Sequence, residues 1–240
     1  ADDPNLVNEH AMARIWRVWL FQQMTDAYGD IPYSQAAGSV DSVNVQPEYD
    51  TQQSIYADML NELKEAVASL SSDGSLASFG SADLLYSGNV DNWIRLGNSL
   101  RLRLAIRVRY ADEALAQQHI SDVISQPLID DNSQNALLMT IDGTDVNNVN
   151  PLYINYLNTS GYPMWMGFTV TQELLKRNDP RFPVFANPSP VPGVGYRGRP
   201  MCLFSDQKPR YGNDSVATYK MTFINPAVPI IVMNAAEVYF

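Results

Sequence analysis

Cysteine and histidine are nearly missing from this sequence: one of the first (Cys202) and two of the second (His10 and His119) in 240 residues. A lone cysteine excludes an internal disulfide framework and any multi-cysteine metal site, and two histidines leave little for histidine-based zinc chemistry. Charge is also scarce, at 18% of residues, and 26 acidic against 16 basic residues give a net charge of -10. That balance repels phosphate backbones, so nucleic acid is not expected as a partner. No stretch offers the roughly 20 uninterrupted apolar residues of a membrane span. Even Ile15 to Met24 is broken by Arg17, Gln22 and Gln23. What remains, with 45% apolar residues, excludes disorder and supplies core for one large domain or two small ones.

Apolar spacing predicts helices in the first half. Residues 4 to 28 carry Leu6, Ala13, Trp16, Leu20, Met24 and Ala27, mostly three or four apart, up to Gly29. Residues 51 to 70 repeat the pattern through Ile55, Met59, Leu60, Leu63, Val67 and Leu70, with Asp50 or Thr51 as cap. The loop between them exceeds 20 residues and holds Gly29, Pro32, Gly38 and Pro47, a length that usually carries a role. From Asp91 to Tyr110 apolar and arginine residues alternate as in a strand, yet Trp93, Leu96, Gly97, Leu100 and Leu104 share a helical face. Length and an Asp91 cap decide for helix. Residues 112 to 126 make a fourth helix, closed by Pro127. Two helix pairs of this size are what a tetratricopeptide-type stack looks like after sequence decay.

Beyond residue 129 the chain changes character. One helix, Thr169 to Arg177, is expected within irregular chain, and seven of the 15 prolines fall between Pro180 and Pro209. Proline at that density denies a regular helix or central strand, while Phe182, Val184, Phe185 and Phe204 argue for order. Near the end, residues 226 to 233 read as an extended apolar segment, and Asn234-Ala-Ala-Glu237 has the spacing of a capping box. The expected organisation is therefore mainly α: a helical-repeat half over 1–128, an irregular, aromatic- and proline-rich ligand-side lobe over 129–233, and the start of a further helix over 234–240. A helix cut after barely two turns suggests a piece of a longer polypeptide.

Motifs for catalysis or cofactors carry little. Gly193-Val-Gly-Tyr-Arg-Gly198 has dinucleotide-fingerprint spacing, but a proline-rich run precedes it and Arg199-Pro200 follows, where a strand and a helix are required. Asp142, Asp145, Asn147 and Asn150 resemble a calcium loop without its glycine, and the twelfth position from Asp145 is Tyr156 instead of glutamate. His119 has no nucleophile beside it and reads as a solvated helix histidine. No catalytic residue, metal ligand or cofactor is therefore nominated. The five basic residues from Arg95 to Arg109 are expected to pair with acidic residues of neighbouring helices. Tyr153, Tyr156, Tyr162, Trp165 and Phe168, on a loop between Pro151 and Gly167, form an aromatic cluster suited to a polar ligand with flat faces.

Four blocks in order resemble a known family. Asp26-Ala-Tyr-Gly-Asp-Ile-Pro-Tyr33 with Pro47-Glu-Tyr-Asp-Thr-Gln-Gln-Ser-Ile-Tyr56, then the helix Asp91 to Arg103, then Asn178-Asp-Pro-Arg181, and finally Met233 to Phe240 resemble the SusD/RagB family of bacterial nutrient-binding outer-membrane lipoproteins. The resemblance implies tetratricopeptide-like helix pairs with a large irregular, loop-rich lobe, and residues beyond both ends, including a lipidated amino-terminal segment. It implies a non-catalytic subunit on the extracellular face of the outer membrane that passes an oligosaccharide or peptide to a SusC-like TonB-dependent transporter. Family ligand residues do not carry over by motif. Local composition instead nominates Trp165, Tyr162, Tyr156 and Tyr196 for ligand binding. Tyr28, Asp30 and Tyr33 are expected either to contact the transporter or to stabilise their loop. The competing readings are a helical-repeat docking module without a small ligand, and a glycoside-processing enzyme, which needs two carboxylates roughly 5 to 10 Å apart.

Overall fold

The computed structural model describes residues 3–36, 44–72, 74, 76–143, 145, 147–158, 164–212 and 214–239. Their order is α1 (Val7–Tyr28), α2 (Gln52–Ser69), α3 (Val90–Val108), α4 (Glu113–Val123), β1 (Ala136–Leu138), α5 (Pro151–Asn158), α6 (Phe168–Lys176), α7 (Phe182–Phe185), β2 (Ala186–Asn187), β3 (Thr218–Tyr219), β4 (Ile230–Met233) and α8 (Ala235–Tyr239). The chain divides into two compact units, Ala1–Leu138 with Ile231–Phe240, and Met139–Ile230.

The first unit is an up-and-down stack. Asn8 near the start of α1 exchanges two hydrogen bonds with the Ser71 backbone beyond the end of α2, at 3.0 and 2.9 Å. At the opposite end Gln52 Nε2 donates to Thr25 O at 2.7 Å, so the two helices run antiparallel. Arg107 near the end of α3 meets Tyr56 at the start of α2, and Arg95 in the first half of α3 donates to Leu128 O beyond α4, which continues the alternation. α2, α3 and α4 each start where a short polar side chain satisfies an unpaired backbone N–H. Thr51 accepts from Ser54 N, Asn89 from Asn92 N and Asp112 from Leu115 N. The α3 cap is thus Asn89, two residues before the expected Asp91, which lies in the first turn. The protein is mainly α, with tetratricopeptide-like helix pairs.

The inward face of α1 differs from the one that spacing suggested. Asn8, Ala11, Met12, Ile15, Val18, Gln22 and Thr25 are buried, whereas Leu6, Leu20 and Met24 are 49, 44 and 45% exposed. The helix carries apolar residues on two sides, so periodicity alone selects neither. Packing decides it: a Cβ at Gly97 of α3 would stand 2.4 Å from Val67 of α2 and 3.1 Å from Ile15 of α1. Only a bare backbone lets α3 approach both helices there, and Ile15, Leu63 and Leu100 close the core around it.

Four of the five basic residues from Arg95 to Arg109 pair with carboxylates, Arg95 with Asp130 in the chain after α4, Arg101 with Asp122, Arg103 with Glu237 and Arg107 with Asp26, whereas among the described residues Arg109 lies over the Tyr110 ring instead. Arg103 alters the last cap. Glu237 N donates to Asn234 Oδ1, but the Glu237 carboxylate reaches Arg103 at 2.6 Å, outside the Asn234 capping box. β1 and β4 form a two-stranded sheet that joins the last residues to this unit.

His119 corrects a second expectation, because it is fully buried instead of solvated. Arg101 Nε donates to its Nδ1 at 2.8 Å, so that nitrogen must stay unprotonated. Burial and then the positive charge of Arg101 hold its pKa below the ordinary 6.5. As pH falls below 6.5 the unfolded chain takes the proton before the folded one, and stability declines.

In the second unit, α6 matches the expected helix within a residue at each end. A further helix, α5, occupies part of what spacing left as loop; Asn150 Oδ1 accepts from Leu152 N at its start, ahead of Pro151. Gly193 and Gly195 have φ of 77° and 63° in a turn closed by Ser189 N donating to Gly195 O, not in a phosphate loop. Asp145 accepts from Asn147 N and the Asn148 amide, a local turn. β2 and β3 pair antiparallel, Ala186 opposite Tyr219.

Two outcomes test this account. Gly97→Val should destabilise the protein by about 1–3 kcal/mol in denaturant melts, through overpacking against Val67 and Ile15. Melting temperature should fall between pH 7.5 and 5.5, about a unit either side of the His reference value, and H119Q should flatten that dependence.

Candidate functional site

The second unit is framed by three crossing segments. Met166 N donates to Ala217 O and Met166 O accepts from Arg199 N, while Phe168 N donates to Arg199 O and Ala217 N to Arg197 O. Isolated bridges join Trp165 to Thr218 and Gly167 to Arg199. Alternation along extended chain sends neighbouring side chains to opposite faces. Met166 therefore enters a small core with Phe182, Ala186 and Ala217, and Trp165 lies half-buried beside it.

Arg199 covers one face of Trp165, its guanidinium carbon 3.9 Å from the ring centroid. A cation on an indole face contributes about 0.5–2 kcal/mol and fixes the ring plane. Trp165 Nε1 and Arg199 Nη1 are both shielded from solvent and without a hydrogen-bond partner among the described residues. Gly198 makes the close approach possible, since a Cβ there would stand 2.6 Å from Phe168 Cα. Tyr196 stacks on Phe182 with centroids 4.3 Å apart, so its ring also supports the core.

Of the four expected ligand residues, the frame thus carries Trp165 and Tyr196. Tyr156 lies on α5, its ring 6.3 Å from that of Tyr153, and Tyr162 lies outside the described residues. Sequence reasoning missed Arg199, because its position after Gly198 marked only the end of a failed fingerprint. No spacing signal pairs it with a tryptophan 34 positions earlier.

A family model described as "Starch-binding associating with outer membrane" matches residues 1–240. The chain belongs to the SusD-like family. Among solved structures, a chitin-binding protein is similar at 25% identity and TM-score 0.85, over 99% of this chain and 51% of its own. A SusD homolog from Bacteroides uniformis is 31% identical, TM-score 0.76, over 95% and 46%. A chitin-binding SusD homolog from Flavobacterium johnsoniae is 26% identical, TM-score 0.79, over 97% and 46%. The SusD-like chain spans about half the length of these structures. No curated protein matches it.

In this SusD-like chain the blocks around residues 26–33 and 47–56 tie the long α1–α2 loop to the first unit. Asp50 accepts from the backbone N–H of Tyr33 and Ser34 and from the Ser34 hydroxyl, which holds its carboxyl below the ordinary range. Asp30 Oδ1 accepts from Gln52 N at 2.8 Å, at the first turn of α2. Tyr33 is buried in the core, its hydroxyl donating to Asp58 at 2.7 Å and its ring between Phe21 and Arg17. Tyr56 donates to Asp26 and accepts from Arg107, and burial with the Asp26 contact pushes its hydroxyl up to about 12. Asp26, Tyr56 and Arg107 line a cleft of about 350 Å³ together with Gln52, Gln53 and Asp112. Tyr28 is 80% exposed. Tyr33→Phe should therefore lower stability by about 1 kcal/mol, measured by thermal or denaturant melts, without altering ligand affinity.

Proposed function

We propose that this protein is a non-catalytic carbohydrate-binding subunit that takes up an oligosaccharide nutrient at the outer membrane and delivers it to a SusC-like TonB-dependent transporter. The observation that carries the reading is the family match over the whole chain, supported by two similar structures described as chitin-binding. The chemistry of the second unit agrees with it. A tryptophan whose ring is pinned on one side by a guanidinium is a preorganised flat surface, and preorganisation reduces the entropy lost when a sugar ring stacks on it.

Trp165 is the proposed stacking residue, with Tyr156, Tyr162 and Tyr196 as further contacts at the ligand surface. Tyr28 is the proposed transporter contact, since it is exposed while Asp30 and Tyr33 are engaged within the loop. Among the described residues no helix is long and apolar enough to cross a membrane. A lipid anchor on the amino-terminal side and attachment to the extracellular face are proposed from the family alone.

A glycan array on the full-length protein tests the reading. Binding to one polysaccharide class, weakened about tenfold or more by Trp165→Ala with the melting temperature kept, is the expected result. Binding to no glycan, or binding indifferent to Trp165→Ala, would remove the site from this surface.

A further inference from the structure

The two units differ in charge balance. Residues 139–230 hold eight basic and six acidic residues, a balance of +2, while the first unit holds the other eight basic and twenty acidic residues, a balance of -12. The cations are also used differently. In the first unit seven of eight basic residues make an ion pair with a carboxylate. In the second, among the described residues, only Arg177 and Arg181 do, with Glu173 and Asp179.

The cations without a carboxylate include Arg197 and Arg199 on the frame that carries Trp165, and Lys208 and Arg210 on a turn tied to it. Arg197 Nη1 donates to Arg210 O at 3.1 Å, tying the extended segment to the turn over Lys208–Tyr211. Gly198 packs against Phe168 and Thr171, so alternation places Arg197 and Arg199 on the face away from α6. Arg199 lies over Trp165 and Arg210 over Tyr211, at 3.9 and 5.7 Å. Lys208 and Arg210 are exposed, while Arg199 Nη1 is shielded from solvent with no acceptor among the described residues. Asp206 and Asp214, the nearest acidic residues in sequence, pair with none of the four among the described residues.

An anion approaching this surface meets positive charge that is paired with no carboxylate among the described residues, beside flat rings that suit sugar faces. We propose that the ligand is an acidic glycan, bearing carboxylate or sulfate groups, with Arg197, Arg199, Lys208 and Arg210 setting that preference. This deepens, and rests on, the carbohydrate-binding reading above. Aromatic rings under two of the guanidinium groups favour a saccharide over an acidic protein segment, because they provide stacking surface next to each charge.

Affinity electrophoresis of the full-length protein separates the cases. The gels contain polygalacturonate, the same polymer methyl-esterified, chondroitin sulfate, neutral xylan, chitin oligosaccharide conjugates or polyglutamate. Expected is retardation by an acidic glycan that weakens with added salt and disappears on esterification or desulfation. Lys208→Gln with Arg210→Gln, both on exposed side chains that support no core packing, should weaken it about tenfold. Retardation by neutral glycans alone, unchanged by salt, would overturn the charge preference and leave the carbohydrate-binding reading standing. Equal retardation by polyglutamate would overturn it in favour of an acidic protein partner, and binding to no glycan would overturn both.

Discussion

Burying α3 on several sides obliges the surrounding chain to supply partners for nearly all the polar side-chain atoms it carries inward, Arg103 Nε being buried without one among the described residues. Asn98 donates to Pro127 O, Ser99 Oγ accepts from Ile129 N, and Arg101 donates to His119 and Asp122. Arg103 donates to Val232 O, and Arg107 to Tyr56. Together these bonds reach four segments: the chain after α4, α4 itself, β4 and α2. An unsatisfied buried donor costs about 1–3 kcal/mol, so the polar side chains of one helix set the positions of four others' backbones. Gly97, which brings α3 against α1 and α2, completes the arrangement from the apolar side.

The two units use charge for different ends. In the first, arginines are consumed internally, and the acidic excess stays at the surface. In the second, Arg197, Arg199 and Arg210 are held by a backbone carbonyl and aromatic faces, which fix their positions without neutralising them. A carbonyl or a ring orients a guanidinium but leaves its net charge in place, and that is the property a recognition surface for anions needs. The family block around residues 26–56 belongs to the first pattern: Asp26, Asp30 and Asp50 accept from donors of the loop and α2, and the Tyr33 hydroxyl donates to Asp58. Strongly patterned residues here serve the fold, while the residues proposed for ligand lie in chain whose local sequence is irregular.

The helices of the first unit were legible because apolar spacing coincides with a terminating glycine in α1, a capping residue in α2 and α3, and both a cap and a closing proline in α4. The loss of detail came where two signals competed. In α1 both sides are apolar, so the buried face was misassigned; in α4 a histidine surrounded by polar residues read as solvated, though Arg101 reaches it from 18 positions away. α5 was missed because eight residues carrying two tyrosines hold too short a pattern to distinguish from loop.

Composition, helix spacing and an ordered series of blocks are local properties, and from them the sequence alone determined the mainly α class, the four long helices, the pairing of the α3 arginines and the family. Which arginine lies over which ring, which face of α1 turns inward, and why Gly97 and Gly198 must be glycine were decided by tertiary structure. Those facts depend on segments tens of residues apart meeting at distances of a few ångströms, and no local pattern encodes such a meeting.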